Sequence, residues 1–325
     1  MFNTMSMKES CTISTANHKA FKVFYQDTPV LVTGGCGFIG SHLAELLVSY
    51  GARVTVLDDL STGFEKNIES IQNKTTFIKG SITDHATCLK ATEGKKIIFH
   101  LAAATSVPDS IERPEHCHRI NIEGTFNILN AARLNNVERF ILSSSSAVYG
   151  QTEGISTESD PCNPVSPYGF SKLIDEYLCQ QFSTNYGILV AMLRYFNVYG
   201  PRQNPDAAYA AVVAKFSALM HNDQPLTIFG DGTQTRDFVH VSQVASANLI
   251  TGMMVSSKIT GEAFNVASGK SINLFELIDL LKKEHPLYSG SIIFKPARQG
   301  DVAHTAAQCA KFKETFCEQL SRGDY

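Results

Sequence analysis

The sequence lacks a surplus of charge of either sign, and it lacks a long apolar run. Its 28 Lys and Arg residues against 31 Asp and Glu residues give a formal net charge of −3. This balance argues against a general nucleic-acid binder, because such proteins carry a basic surplus that meets the phosphates. No stretch approaches the roughly 20 consecutive apolar residues of a membrane-spanning helix, so no membrane partner is expected. Residues 1–27 also lack the apolar segment of a secretory signal, and we expect them to form an N-terminal extension of a cytoplasmic protein.

The eight cysteines are scattered and form no CxxC pair, and the nearest two are Cys309 and Cys317. Because this is not the spacing of a zinc site, we expect reduced and mostly buried thiols. His116, Cys117 and His118 lie together, but residues two apart on a helix do not share a face. No metal site is therefore expected.

Short apolar runs alternate with helical patterns up to about residue 195. Strand-like runs fall at 29–33, 53–57, 75–79, 97–101, 139–143 and 188–193, and helical patterns near 41–50, 116–134 and 168–185. This alternation predicts a Rossmann-type α/β fold, in which a doubly wound parallel sheet is covered on both faces. Turns become more frequent after residue 196. We therefore predict a dinucleotide-binding domain over 28–195 and a smaller C-terminal α/β substrate lobe over 196–325, partly interleaved with the first.

The strongest local signal is a glycine loop between the first strand and the first helix, with Gly34, Gly37 and Gly40 spaced as GxxGxxG. Such glycines permit a tight turn, let the backbone approach a pyrophosphate and allow close helix packing. The diphosphate would lie at the helix N-terminus. The acid at the end of the next strand is Asp58 or Asp59, of which Asp58 is favoured. A carboxylate there would bind ribose hydroxyls and repel a 2′-phosphate, which indicates NAD rather than NADP.

Tyr168 and Lys172 form a YxxxK pattern, and residues four apart on a helix share a face. A lysine ammonium beside a phenol favours the phenolate, which can then act as a general base near neutral pH. A run of serines, Ser143 to Ser146, ends a predicted strand shortly before this pair. A serine hydroxyl there could relay a proton from a substrate hydroxyl.

These motifs together resemble the extended short-chain dehydrogenase/reductases, and within that group the chain is similar to UDP-sugar 4-epimerases acting on UDP-glucose or UDP-N-acetylglucosamine. The resemblance runs from about Val30 to His304 and is carried by TGGCGFIGSHL, LDDLSTG, HLAA, NIEGT, SSSSAVYG, YGFSK, RYFNVYGPRQ, RDFVHV and NVASG. It implies an NAD-dependent epimerisation at C4 of a UDP-hexose through a 4-keto intermediate. It also implies a homodimer formed through the helices near 116–134 and 168–185, and a role in precursor supply for polysaccharides.

The resemblance assigns roles to individual residues. It implies that Ser145, Tyr168 and Lys172 are catalytic. Around NAD it places Gly34, Gly37, Phe38, Ile39, Gly40, Asp58, Asp59, Ser61, Ser81, Ile82, Leu101, Ala102, Ala103, Asn121, Tyr168, Lys172 and Tyr195. Around the UDP-sugar it places Ser106, Ser145, Ser146, Asn197, Val213, Thr227, Phe229, Arg236, Arg298, Asp301 and Thr305.

Residues that vary among relatives of this scaffold indicate which reaction and which sugar to expect. Related 4,6-dehydratases carry an Asp-Glu pair before VYG and related decarboxylases a glutamate, whereas this chain has Ser146 and Ala147. The resemblance places Thr305 where relatives have either a bulky tyrosine or a small residue, and the small side chain implies a 2-acetamido sugar, so UDP-N-acetylglucosamine is expected first and UDP-glucose second. The alternative is another nucleotide-sugar enzyme of this scaffold: a UDP-glucuronate 4-epimerase, a reductase or a dehydratase variant. Ser81 stands where the family often has an adenine-contacting aspartate, so this contact is either weakened or taken over by Asp84.

Overall fold

A parallel sheet of seven strands forms the centre of the protein in the computed structural model, which describes residues 15–152, 154–205, 212–297, 302 and 304–322. The sheet order is β3-β2-β1-β4-β5-β6-β10. The order reverses at β1, the point where open α/β sheets form a ligand crevice at the carboxyl ends of their strands. The strands are β1 (Pro29–Thr33), β2 (Arg53–Asp58), β3 (Thr75–Lys79), β4 (Ile97–His100), β5 (Arg139–Ser145), β6 (Leu189–Tyr195), β7 (Asn197–Tyr199), β8 (Leu226–Phe229), β9 (Thr235–His240), β10 (Glu262–Val266), β11 (Ser271–Asn273) and β12 (Ile292–Lys295).

Helices connect these strands. They are α1 (Thr15–Tyr25), α2 (Phe38–Ser49), α3 (His85–Thr92), α4 (Val107–Glu112), α5 (Pro114–His118), α6 (Gly124–Leu134), α7 (Pro167–Tyr186), α8 (Val212–His221), α9 (Val241–Met254), α10 (Leu274–Glu284), α11 (Ala310–Phe312) and α12 (Glu318–Arg322), with 3₁₀ segments at Glu65–Lys74 and Ser146–Val148 and π-helical segments at Arg119–Glu123 and Lys313–Cys317. The first π segment joins α5 to α6. Within the described ranges, none of the helices has the length and apolarity needed to cross a bilayer.

Both faces of the sheet are buried, which is why its strands are apolar on both sides. On one face, Leu43 and Leu47 of α2 and Leu249 of α9 pack into one core cluster. On the other face, Leu129 of α6 and Phe182 of α7 belong to a second cluster. The Rossmann-type doubly wound fold predicted from the alternation is confirmed.

The chain crosses between its two halves more than once. A smaller lobe contains the β8–β12 pair, the sheet β11-β9-β7, and helices α8 and α10 around their own apolar core. However, α9 packs against α2, and β10 pairs in parallel with β6. Residues 241–266 therefore belong to the layers of the seven-stranded sheet, although they follow residue 196 in the chain.

Residues 15–25 of the N-terminal extension form a helix that is part of the core. Phe21 and Tyr25 of α1 are fully buried. The Tyr25 hydroxyl donates a 2.6 Å hydrogen bond to the backbone oxygen of Leu249.

Cys317 is disulfide-bonded, so the expectation that all cysteines are reduced is wrong for this residue.

Helix α2 begins at Phe38, earlier than the apolar periodicity near 41–50 predicts. Gly40 masks the helical pattern, because glycine is a poor helix former. A side chain cannot replace it there, because a Cβ at Gly40 would lie 2.2 Å from the backbone oxygen of Gly34.

Candidate active site

The glycine loop connects β1 to α2 at the carboxyl edge of the sheet. Gly34 has a φ of +67°, and a Cβ there would lie 2.8 Å from the backbone nitrogen of Ala102. Gly37 is the N-cap of α2 and provides no capping side chain. The N-terminal N–H groups and the dipole of α2 are therefore directed at the crevice beside β4. Phe38, Ile39 and Gly40, predicted to contact the cofactor, form the first turn of this helix. An anionic diphosphate fits this position.

Asp58 ends β2 beside the glycine loop and is only 7% exposed. Its Oδ2 accepts a 2.9 Å hydrogen bond from the backbone nitrogen of Cys36, and its Oδ1 accepts one of 2.9 Å from that of Leu60. Burial raises the pKa of this carboxyl, and the hydrogen bonds from Leu60 and Cys36 oppose the rise. Each carboxylate oxygen has a further lone pair, so ribose hydroxyls can still donate to it. The loop and this acid together fit an NAD molecule.

The turns after β2 and β3 contain the other predicted adenosine contacts. Asp59 Oδ1 accepts a hydrogen bond from the backbone nitrogen of Ser61 at 2.9 Å. Ser81 Oγ lies 3.0 Å from the hydroxyl of Thr83, and the partly buried Ser81 adjoins the buried Ile82. Asp84 is the N-cap of α3, where its side chain accepts hydrogen bonds from two backbone N–H groups of that helix. Asp84 is thus engaged in helix capping.

Asn121 fixes the segment that follows β4. Its Oδ1 accepts a 2.8 Å hydrogen bond from the Ala104 nitrogen, while its Nδ2 donates to the Ala104 oxygen at 3.0 Å and to Ser171 Oγ at 2.8 Å. Asn121 is fully buried in the π-helical segment. The partly buried residues Leu101, Ala102 and Ala103 lie just before this anchor, beside the glycine loop.

The predicted catalytic residues lie on two adjacent elements, Ser145 at the end of β5 and Tyr168 and Lys172 in the first turns of α7. Ser145 is the last residue of β5, and its Oγ accepts a 3.2 Å hydrogen bond from the backbone nitrogen of Ala147. Helix α7 begins beside this turn, since a Cβ at Gly169 would lie 2.5 Å from the backbone oxygen of Ala147. The neighbouring Tyr168 is thereby brought to the strand end that carries Ser145 and Ser146.

Lys172 lies one turn further along α7 and is 3% exposed. Its Nζ donates a 3.1 Å hydrogen bond to Oδ2 of Asp175. Burial disfavours the ammonium, but the charges of Asp175 and Tyr168 outweigh this effect and raise the pKa of Lys172. Lys172 is therefore a cation, one helical turn from Tyr168.

A buried ion pair that the sequence analysis missed fastens β5, β6 and α7 to one another. Arg194 Nε donates to Glu176 Oε1 at 2.9 Å, and Arg194 Nη2 donates to Glu176 Oε2 at 2.7 Å. Arg194 Nη1 donates to the Tyr149 hydroxyl at 2.9 Å, and the Ser144 hydroxyl donates to Glu176 Oε1 at 2.5 Å. The only sequence signal for this pair is that charged residues occur within otherwise apolar patterns.

Three predicted substrate residues come together in the smaller lobe. Asn197 Nδ2 donates to the Asp237 backbone oxygen at 3.0 Å and to Thr305 Oγ1 at 3.1 Å. The partly buried Arg236 precedes Asp237 on β9, which pairs with the strand of Asn197. Two further predicted ligands, Arg298 and Asp301, lie outside the described residues.

Other predicted contacts lie in less open positions. The Tyr195 hydroxyl is 3.0 Å from Ser143 Oγ and accepts a 2.6 Å hydrogen bond from Asn248, and burial raises its pKa to about 12. Val213 is part of the apolar core of the smaller lobe. Ser106 is the N-cap of α4, accepting a 3.2 Å hydrogen bond from the Asp109 nitrogen. Thr227 and Phe229 form the half-buried side of β8. Their ligand contacts stay predictions.

Within the described residues, no group of three or more His, Cys, Asp or Glu side chains is placed to hold a metal ion.

The sequence profile of the NAD dependent epimerase/dehydratase family matches residues 30–267. The UDP-glucose 4-epimerase of Mycolicibacterium smegmatis is 36% identical over 297 residues, which cover 88% of this chain and 91% of that protein.

Solved structures give the same result. A UDP-N-acetylglucosamine 4-epimerase from Methanobrevibacter ruminantium, in complex with UDP-N-acetylmuramic acid, matches with a TM-score of 0.82 and 35% identity, over 91% of this chain and 98% of that one. The UDP-glucose 4-epimerase of Thermotoga maritima with UDP-glucose matches with a TM-score of 0.83 and 36% identity, over 88% of this chain and 92% of that one.

Proposed function

Since the chain belongs to the NAD dependent epimerase/dehydratase family, as an NAD-dependent enzyme of its UDP-sugar 4-epimerase group, we propose that it interconverts UDP-N-acetylglucosamine and UDP-N-acetylgalactosamine. UDP-glucose and UDP-galactose are proposed as secondary substrates. The observation that carries the catalytic assignment is the close packing of the first turn of α7 on the turn after Ser145. This packing supports a site in which Tyr168 is the base, Ser145 the relaying hydroxyl and Lys172 the cation.

The chain's own residues would act as follows. Tyr168, as a phenolate, takes the proton of the C4 hydroxyl, either directly or through Ser145. Lys172 keeps the phenolate available by its charge. NAD, held by the glycine loop and Asp58, would supply a hydride acceptor and then a hydride donor for C4. Because Asn197 and Arg236 hold the nucleotide rather than the hexose, the 4-keto sugar can turn between the two transfers.

The proposed preference for a 2-acetamido sugar rests on Thr305. This small side chain lies next to Asn197, and its hydroxyl accepts hydrogen bonds from the Asn197 amide and from the Asp237 nitrogen. A tyrosine at this position would extend past Asn197 into the space that we assign to the acetamido group. Thr305→Tyr should therefore lower kcat/KM for UDP-N-acetylglucosamine about tenfold or more while sparing UDP-glucose. Thr305→Ser is the matched control, and equal losses on both sugars would contradict the assignment.

We also propose that the enzyme is a homodimer formed through α6 and α7. These helices expose large apolar side chains, and large exposed apolar patches are rare on monomeric proteins. They are Phe126 and Leu134 on α6, and Phe170, Tyr177 and Tyr186 on α7. Tyr177→Lys should convert a dimer to a monomer in sedimentation, whereas an unchanged sedimentation coefficient would point to another surface.

The function is tested by incubating the purified protein with UDP-N-acetylglucosamine, without added cofactor, and following the sugar by NMR. We expect an equilibrium mixture with the C4 epimer, and its disappearance in Tyr168→Phe. Tyr288→Phe, in the smaller lobe, is the matched control and should retain activity. An active Tyr168→Phe variant would refute the catalytic assignment. Turnover of UDP-glucose or UDP-glucuronate, but not of UDP-N-acetylglucosamine, would refute the substrate assignment alone.

A further inference from the structure

Asp175, three residues after Lys172, is the acidic partner of this lysine, and no motif of the sequence assigns it a role. Lys172 Nζ lies 3.1 Å from Asp175 Oδ2, and the two side chains are 4% and 0% exposed. Residues three apart on a helix are surface neighbours, so α7 itself brings the two groups together. At this depth neither group can turn to solvent, and the pair fixes the direction of the lysine side chain.

The titratable groups around this pair come from three elements. They are Tyr168, Glu176 and Cys179 on α7, His100 on β4 and Cys117 on α5. Burial, aided by the Lys172 charge, lowers the pKa of His100 to about 3. Burial raises the pKa of Cys179 and of Cys117, so all three groups are neutral near pH 7. Glu176 already has Arg194 as its partner. The interacting charges are therefore those of Tyr168, Lys172 and Asp175.

A chain of polar side chains links Asp175 to the cofactor edge of the sheet. Asp175 Oδ1 has no hydrogen bond of ordinary geometry within the described residues, although the Thr125 hydroxyl is near enough to favour the charged carboxylate. Thr125 Oγ1 lies 3.0 Å from His100 Nε2, and His100 Nδ1 lies 2.8 Å from Thr33 Oγ1. Thr33 in turn accepts hydrogen bonds from the two backbone N–H groups just after β4. Asp175 is thus embedded in the framework that positions the glycine loop.

Burial and the Lys172 charge have opposite effects on the Asp175 carboxyl. Burial raises the pKa of Asp175 to about 6, against the opposing effect of Lys172. Above that pH the pair consists of one cation and one anion.

We propose that Asp175 is a positioning residue, which holds the Lys172 ammonium in a fixed place behind Tyr168 and weakens, without abolishing, the effect of its charge on that phenol. This inference rests on the catalytic roles proposed above for Tyr168 and Lys172. An ammonium has three N–H donors, so the bond to Asp175 leaves two for a ribose hydroxyl or the phenolate.

The charge balance gives Asp175 a purpose. With a Tyr168 phenolate and an oxidised nicotinamide, the site has two cations, Lys172 and the nicotinamide, and two anions, Tyr168 and Asp175. Their charges sum to zero. They would still sum to zero after oxidation of the sugar, since a protonated Tyr168 and a reduced nicotinamide are both neutral. A site without Asp175 would carry an extra positive charge, removed from water, at both stages.

Asp175→Asn tests this role, because asparagine keeps the shape and an acceptor oxygen for Lys172 but removes the negative charge. The uncompensated ammonium should then favour the phenolate more strongly, so Tyr168 should ionise about one pH unit lower. The readout is the phenolate absorbance of the full-length protein against pH, after subtraction of the same titration in Tyr168→Phe. The acid limb of kcat should move in the same direction.

Glu123→Gln is the matched control, since it makes the same change of charge on an exposed side chain, where solvent screens it. It should leave the Tyr168 titration in place. An Asp175→Asn protein that melts like the wild type, but whose phenolate titration has not moved, would overturn the proposal. If asparagine lowers the melting temperature, Asp175→Ser must shift the titration in the same direction, and an unmoved titration in both variants overturns the proposal. Loss of the function itself is read separately from the activity of Tyr168→Phe.

Discussion

Replacing Arg194 with methionine should destabilise the protein by about 3–5 kcal/mol, because it leaves a buried carboxylate without its counter-charge. The Arg194 and Glu176 side chains are only 7% and 3% exposed. The change removes two hydrogen bonds to Glu176, of 2.9 and 2.7 Å, and a third of 2.9 Å to the Tyr149 hydroxyl. Of the contacts to the carboxylate described above, only the hydrogen bond from Ser144 is left.

Urea unfolding at neutral pH gives the free energy of unfolding of each variant. Glu176→Gln in the Arg194→Met background should recover part of the loss, because the unpaired charge is then gone, so the two changes should not be additive. Lys96→Met is the surface control: the Lys96–Glu138 pair is 58% and 57% exposed, and its loss should cost less than about 1 kcal/mol. A loss for Arg194→Met no larger than for Lys96→Met, or strict additivity with Glu176→Gln, would refute the reasoning.

Three further changes have definite expected outcomes. Gly169→Ala should lower kcat, because its Cβ would lie 2.5 Å from the Ala147 oxygen and must push the start of α7 away; steady-state kinetics would show this, and an unchanged kcat would contradict it. Phe21→Ala should cost about 3–5 kcal/mol in urea unfolding, since the ring is fully buried, and a loss below about 1 kcal/mol would mean that α1 is dispensable. Asp58→Asn should reduce the NAD that co-purifies, measured after acid release, because an amide offers only one acceptor oxygen where the Cys36 nitrogen and the ribose both donate; undiminished NAD would remove Asp58 from the cofactor site.

The sequence was sufficient wherever chemistry depends on spacing along one element. Gly34 and Gly40 predict a tight turn between β1 and α2, and the structure shows why glycine is needed there: a Cβ at either position would lie too close to backbone atoms. Tyr168 and Lys172 were recognisable because four residues on a helix define a shared face. The short apolar runs predict a parallel sheet, because strands that are buried on both faces have continuous apolar sequences.

Contacts between distant segments could not be predicted in this way. Asp175 near Lys172 has the appearance of an ordinary exposed i,i+3 pair, and only the packing of α7 against β5, β6 and α6 shows that it is buried. The burial of Tyr25 involves α9, to which its hydroxyl is hydrogen-bonded, and no local pattern reveals the position of α9 in the sheet layers. Tyr195 ends a strand at the cofactor edge, but its hydroxyl meets Asn248 in the core, because the rotamer is chosen by tertiary packing.

The placement of α9 and β10 in the first half's layers has a consequence for biosynthesis. When residues 28–195 have emerged from the ribosome, six of the seven strands of the sheet are present. The edge of β6 that later pairs with β10 is still unpaired, and the face that α9 covers is exposed. Both defects end only when residues 241–266 emerge, so the seven-stranded sheet and its covering layers cannot be completed by the N-terminal residues alone. Until then the nascent chain presents the open edge and apolar surface that chaperones recognise and that drive aggregation.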